Sequence, residues 1–428
     1  MRKAEVTAFL SLIFVMLVTF VGGVMEAASI QVAKNQRYCD GARAMESVFA
    51  EYQKEALEEY DVFVLDAGYE SVAYSEELLD KRLQYYGVVN SQNSIERIQF
   101  LSDENGKAFF EQACAYTSHR YGLDYVKDMV GMTDLWEGIE KDMCDYEKEE
   151  RENHNQLDSI LEENEYELVQ ENNPIASVEG LKQSPVLSLV MPEGKTVSEK
   201  TVTLAELPSR RTLNQGYGDF KDSATYGRTV GKLLFGEYLL EHFNSAADEC
   251  GNVLEYELEY LIAGKSSDRE NLKTVVNRLL ILRLAVHYIG MQKDADRQAK
   301  AQTLALTLCS ALAVPAVTEV VAQGILLAWS YEDAVLDVKA LLQGQKVSLT
   351  ANGTKKLGYE EYLRIFLFLE KEEEITMRAL DLMEMNLRNI QGLEFFKVDI
   401  CVTRMEIKSR CSFRRGITYT FPLYFAYN

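Results

Sequence analysis

Apolar residues fill the chain from Val6 to Met25 without a single charge. A helix of that length rises about 30 Å, enough to cross the hydrocarbon core of a bilayer. After Met25 the pattern becomes two-sided. Ala42, Met45, Val48, Phe49, Tyr52, Ala56 and Tyr60 recur at three- and four-residue steps, while Glu46, Glu51, Lys54 and Glu58 take the other side. The spacing predicts one continuous helix from Val6 to about Glu59, about 80 Å long. Met45, Val48, Phe49 and Tyr52 form its candidate packing face for partner helices.

Further along, Asp61 to Asp66 is a short apolar run closed by Gly68, the pattern of a buried strand and turn. A helix is expected over 76–86, a strand over 95–101, a turn over 103–106 and a helix over 107–126. From Leu135 to Leu161 apolar positions are sparse, and 148–156 is wholly polar. That gap predicts an exposed helix or stalk, because a coiled-coil seam would be unbroken. Pro174, Pro185, Pro192 and Pro208 then interrupt an aperiodic stretch, expected to be a linker or strap. Helical periodicity resumes and lasts to about Arg388. Within it Ser267-Asp-Arg-Glu270 is a capping box, opening a helix that turns Leu272, Val275, Val276, Leu279 and Leu280 inward. A hairpin is expected over 347–357 with its turn at Asn352-Gly353. The end, from Phe396 to Tyr427, is rich in β-branched and aromatic residues and predicts two or three strands. Thr303 to Thr318 carries no charge but is short and holds Pro315, so it is expected to be a buried bundle helix rather than a second span.

These elements predict an α+β, mainly helical protein with small antiparallel sheet elements. Its parts would be a tail (1–5), a span (6–25), an extension of the same helix (26–60), an α+β region with a charged helix (61–170), a strap (171–219), a helical domain (220–390) and C-terminal strands (391–428). A cleaved signal would have a shorter apolar region. The candidate cut after Ala28 also places Glu26 where a small residue is wanted. An anchor is therefore expected, embedded in the lipid bilayer through Val6 to Met25. Arg2 and Lys3 lie against one end of the span, while Lys34, Arg37 and Arg43 lie further from the other. The positive-inside rule then places the N-terminus in the cytoplasm and the large domain outside.

The formal charge of −22 repels nucleic acid and anionic head groups, so no nucleic-acid partner is expected. The most basic stretch, Arg404 to Arg415, holds Lys408, Arg410, Arg414 and Arg415 and is too local to reverse that. The seven cysteines show no C-x-x-C pair. Cys309 is expected in the core, and Cys401 and Cys411, flanking a hairpin expected among the C-terminal strands, are a candidate disulfide.

No catalytic, cofactor-binding or metal-ligating set emerges. Gly264-Lys265-Ser266 lacks the earlier glycine of a phosphate loop, since Glu259 stands there. Asp66-Ala-Gly68 is one isolated turn. His119, His154, His242 and His287 show no metal spacing, and His287 is expected to be a satisfied bundle residue. No G-x-S-x-G elbow is present. Glu255 and Glu259, like Glu370 and Glu374, are one helical turn apart and expected on solvated faces.

Three stretches together carry a resemblance. They are Val6-Thr-Ala-Phe-Leu-Ser-Leu12 with the long helix and Asp61-Val-Phe-Val-Leu-Asp66; Asn173-Pro-Ile with the stretch from Leu181 to Pro192; and Tyr256 to Leu272. The chain resembles an uncharacterised membrane-anchored domain-of-unknown-function family of Gram-positive bacteria, associated with tight-adherence (Tad) pilus loci. Its anchor plus long helix also resembles minor pilins and pseudopilins. The resemblance implies a structural or assembly component of a pilus-like system, with pilin-like or pilus-assembly proteins as partners and no enzyme activity. The alternatives are a tethered binding or sensing domain and an enzyme with an unfamiliar site. One departure is plain: processed pilins keep a glutamate at the fifth position, whereas a cut after Ala4 would put Phe9 there.

Overall fold

The computed structural model describes residues 2–69, 71–163, 173–220, 226–248, 251–309, 315–350, 353, 355–413 and 416–427, apart from the side chains of 2–4 and 123–128. In chain order the elements are α1 (Arg2–Phe49), α2 (Lys54–Tyr60), β1 (Leu65–Asp66), α3 (Glu76–Tyr85), β2 (Ser91–Phe100), α4 (Asp103–Glu163), α5 (Pro174–Lys182), α6 (Val186–Val190), α7 (Arg228–His242), α8 (Glu257–Ala263), α9 (Asp268–Gln292), α10 (Ala295–Leu308), α11 (Pro315–Leu342), β3 (Val347–Ser348), β4 (Lys356–Leu357), α12 (Tyr359–Leu369), α13 (Glu372–Asn389), β5 (Cys401–Ser412) and β6 (Thr418–Ala426). The mainly helical α+β class expected from the pattern is observed. The chain divides into two units: Met1–Gln112, Leu213–Ser223 and Gln391–Asn428 form the first, and Ala113–Thr212 with Ala224–Ile390 the second.

In the first unit β5 is the central strand, antiparallel to β1, β2 and β6. Alternation along β5 sends Met405, Ile407 and Cys411 inward, while Lys408, Arg410 and Ser412 stay exposed. The inward set forms one core with Ala44, Met45, Val48 and Phe49 of α1, Ile98 and Phe100 of β2, and Phe421 and Leu423 of β6. The candidate disulfide is corrected here. Cys401 and Cys411 do not face each other across a hairpin; both lie on β5, ten residues and about 33 Å apart.

The single helix expected to run to Glu59 also ends early. Ala50 N still bonds Glu46 O, but Glu51 N reaches back only three residues, to Val48 O, and Gln53 N bonds Val64 O instead. The chain restarts as α2, which buries Ala56 and Tyr60. The apolar period outlives the break because both helices face the interior, so periodicity could not reveal it.

In the second unit, α9 begins at the expected Ser267 cap, whose side chain accepts from Glu270 N at 3.2 Å, and the five predicted inward residues are buried. The expected stalk is half-covered: Trp136, Ile139, Met143 and Tyr146 of α4 are buried, with Trp136 against Phe368 and Tyr146 against Tyr288. The expected turn at 103–106 survives as left-handed Glu104, Asn105 and Gly106 at the start of α4. The strap is partly helical. Asn173 caps α5 by accepting from Ile175 N, Pro174 takes the first turn, and α6 follows. The uncharged run from Thr303 is not one buried helix: it supplies the end of α10 and the start of α11, where Pro315 stands first, and Leu306 is exposed. Residues 310–314 of that run lie outside the described residues, as do Asn352 of the expected hairpin turn, Arg414, Arg415 and Cys250. The hairpin strands β3 and β4 pair as expected.

Candidate functional site

The strongest candidate is α1. Its most apolar window is wholly unburied, with Phe9, Leu12, Phe14, Met16 and Phe20 all more than 60% exposed. Toward its C-terminus the same helix enters the first unit. Lys34 lies over the Tyr419 ring at 5.2 Å, and Tyr38 meets Phe421 edge-on at 5.8 Å. At Gly41 an added Cβ would stand 2.8 Å from Leu423 Cδ1, so the missing side chain lets helix and strand approach closely. Phe49 stacks on Phe425 at 4.4 Å, and the Tyr427 hydroxyl donates to Phe49 O. The candidate packing face is thereby reassigned. Met45, Val48 and Phe49 are buried by the protein's own sheet, leaving them no surface for another helix. Tyr52 falls beyond the helix end, partly exposed and edge-on to Phe63. By length and composition α1 can cross a membrane, a test that a signal sequence near an N-terminus also passes. α9 meets the same criterion but is mostly buried, as a core helix is.

The paired acids do not sit on solvated faces throughout. Glu259 is fully buried; Tyr359 OH and Ala246 N donate to its Oε1 at 2.7 and 2.9 Å, while Oε2 has no partner among the described residues. Burial pushes its carboxyl up to about 7 despite those two bonds. Glu257, also buried, accepts from Asn244 N, Asn252 Nδ2 and Asn386 Nδ2. Asp268 accepts from Glu255 N, Tyr256 N and Ser198 Oγ. Asp381 accepts from Ser209 N, Ser209 Oγ and Tyr260 OH, and burial pushes it up to about 6. Each acid therefore holds backbone N–H groups of irregular segments, at Ser209, at Asn244 and Ala246, or at Glu255 and Tyr256, which lie outside the regular helices and strands. These are structural acceptors. Their pattern in the sequence, charged residues between apolar ones, did not distinguish them from surface acids.

His287 is satisfied, as expected: its Nε2 lies 2.7 Å from Asp337 Oδ2, which also accepts from Arg283 Nε and Nη2. Burial alone would raise the Asp337 carboxyl, but the His287 hydrogen bond and the Arg283 guanidinium hold it below its ordinary 3.8. His287 also lines an open cleft of about 510 Å³ with Lys293, Asp294, Asp296, Arg297 and Asp333. Asp294 is already engaged there, capping α10. Gly264 ends α8 in the left-handed region with its N–H on Tyr260 O, as its helix-end reading required. Asp66 Oδ1 accepts from Gly68 N, an Asx turn closing β1. Among the described residues, no group of three or more His, Cys, Asp or Glu is placed to hold a metal ion.

A family model described as a family of unknown function, DUF5702, matches residues 164–355 and 350–413, more than half of the chain. The chain belongs to this family. No curated protein and no solved structure matches it. The DUF5702 match takes in α5 to α13 and β5, and with them the buried acids that hold the irregular segments. It leaves out α1 to α3 and β6, so the apolar helix stands outside the part by which DUF5702 is recognised.

Proposed function

We propose that this DUF5702 protein is a membrane-anchored structural or assembly component of a pilus-like surface system. α1 is its anchor, the N-terminus is cytoplasmic and both units lie outside. One observation carries the reading: a single unbroken helix is bare and apolar over a membrane's thickness and then becomes part of the first unit's core. The burial of Met45, Val48 and Phe49 narrows the assembly surface. Contacts with pilin-like partners fall to the bare part of α1 and to the outer surfaces of the two units.

Alkaline extraction of membranes followed by co-purification tests this. Intact protein should stay in the pellet with residues 1–28 present by mass, and after solubilisation should bring down pilus-assembly proteins. Recovery without its first 28 residues in the soluble fraction refutes the anchor, and a reproducibly solitary membrane protein refutes the assembly role. A tethered binding domain is the second reading. It is favoured by a cavity of about 290 Å³ in the second unit, lined by Leu157, Ile175, Val178 and Leu327 together with Glu150 and Lys182.

A further inference from the structure

We infer, resting on the second reading of a tethered binding domain, that the cavity between α4, α5 and α11 takes a small organic amine with an apolar body, its ammonium at Asn153 and Glu150. The inward side of α4 recurs at steps of three and four through Met143, Tyr146, Glu150, Asn153 and Leu157. Glu150 and Asn153 thus stand at core positions of that stripe, inside the wholly polar stretch 148–156. Polar residues at core positions cost stability unless they serve a function. Here they line the cavity of about 290 Å³, beside Leu157, Ile175, Val178 and Leu327. Apolar walls with a few placed polar groups are the make-up of a small-molecule site. A cavity of about 150 Å³ holds benzene, so this one admits a body of two fused rings.

Hydrogen bonds decide the chemistry of the ligand's polar end. Asn153 Nδ2 donates to Val320 O at 3.0 Å. A carbonyl cannot donate, so the orientation of the amide is fixed and Oδ1 is its other end. That oxygen turns to the bare backbone of Gly324, where an added Cβ would stand 3.4 Å from it and 2.9 Å from Ile175 Cδ1. Among the described residues nothing donates to Asn153 Oδ1. Glu150 Oε1 accepts from Lys182 Nζ, which also lies over the Tyr331 ring at 5.5 Å, and Glu150 Oε2 has no donor among the described residues. Two unfilled acceptors therefore stand one helical turn apart at the cavity, and a ligand answers them with N–H donors. The charges around it do not oppose a cation. Glu150 and Glu179 match Lys182 and Arg151, and His154 has its own acid in Asp158, 3.3 Å away. Arg151 turns its Nε back to Glu147 O, and its side chain, like that of Glu179, is at the exposed rim. The net charge of −22 draws a cation and repels an anion, which favours an amine over a carboxylate of the same shape.

The test titrates full-length protein in detergent micelles at neutral pH with three probes of one shape: tryptamine, 3-ethylindole and indole-3-propionate. Calorimetry against empty micelles reads binding, and flotation of the protein in vesicles reads the anchor separately. Tryptamine should bind roughly tenfold or more tightly than either of the others, the margin of one charge-assisted hydrogen bond. Glu150→Gln, which keeps size and an acceptor for Lys182, should weaken tryptamine about tenfold and leave 3-ethylindole unchanged. Asn153→Leu restores the apolar stripe, so it should weaken tryptamine by a similar factor while raising the Tm. Tryptamine binding that neither variant diminishes overturns the site. Equal affinity for all three probes overturns the amine assignment while the binding-domain reading stands. A protein that floats and binds none of them overturns the amine site together with the cavity's support for a binding domain, and leaves the anchor in place.

Discussion

Glutamine in place of Glu259 isolates one fully buried carboxyl of the second unit. Among the described residues no positive side chain bonds it; its donors are the Tyr359 hydroxyl and the Ala246 amide, and Asp268 raises its proton affinity further. The native group titrates at about 7, against an ordinary 4.5 in the unfolded chain. Between those values the folded protein keeps a proton that the unfolded chain has released. The stabilising contribution is therefore complete below pH 4.5 and is lost as pH rises through about 7. Its size is about 3 kcal/mol, from 1.36 kcal/mol for each tenfold change in proton affinity. Glu259→Gln keeps an acceptor for Tyr359 and Ala246 but does not titrate. Relative to the parent, the variant should gain about 3 kcal/mol between pH 4.5 and pH 8. Urea unfolding in detergent micelles measures this. Trp136 and Trp329 fluorescence reports the second unit, which contains both residues. Taking the difference between the two proteins removes Asp381 and Glu257, whose carboxyls burial shifts in the same direction. A difference that stays constant over this pH range refutes the assignment of Glu259 as a buried acid without a counter-charge.

Phe49→Ala should cost about 3–5 kcal/mol by chemical denaturation while membrane retention is unchanged, since the ring packs on the protein's own sheet. Gly41→Leu should force α1 off β6 and destabilise the first unit by about 1–3 kcal/mol, read as faster amide exchange along β6. Asp337→Asn should cost about 3–5 kcal/mol by urea unfolding because it strands the Arg283 guanidinium, which is almost wholly buried. In the parent protein the contribution of Asp337 should be present above pH 3.8 and fade as pH falls through its lower native value, measured as a drop in Tm that the asparagine variant lacks.

The legible features were those set by neighbours along the chain. The Ser267 N-cap and the inward stripe of α9 follow from positions three and four residues apart, and the structure keeps them. Gly264 behaved as a helix end because its role depends on its own backbone. The errors arose where distant segments intervene. Gln53 leaves α1 because Val64 takes its amide. Trp136 and Tyr146 are covered by aromatic residues from elsewhere in the second unit. The acids of α8 look like surface acids until the irregular segments that need their oxygens are in place.

Sequence alone determined that a helix of membrane length begins this chain, that the rest is mainly helical with a closing set of strands, and that no familiar catalytic motif stands in it. Those properties are written in local spacing, charge and length. Tertiary structure decided what the second half of the first helix touches, turning a candidate docking face into a core. It separated Cys401 from Cys411 by putting both on one strand, and it buried Glu259. It also brought residues some 375 positions apart, Lys34 and Arg410, to the same end of one unit. Such proximity depends on distance through space and not along the chain, so local spacing could not reveal it.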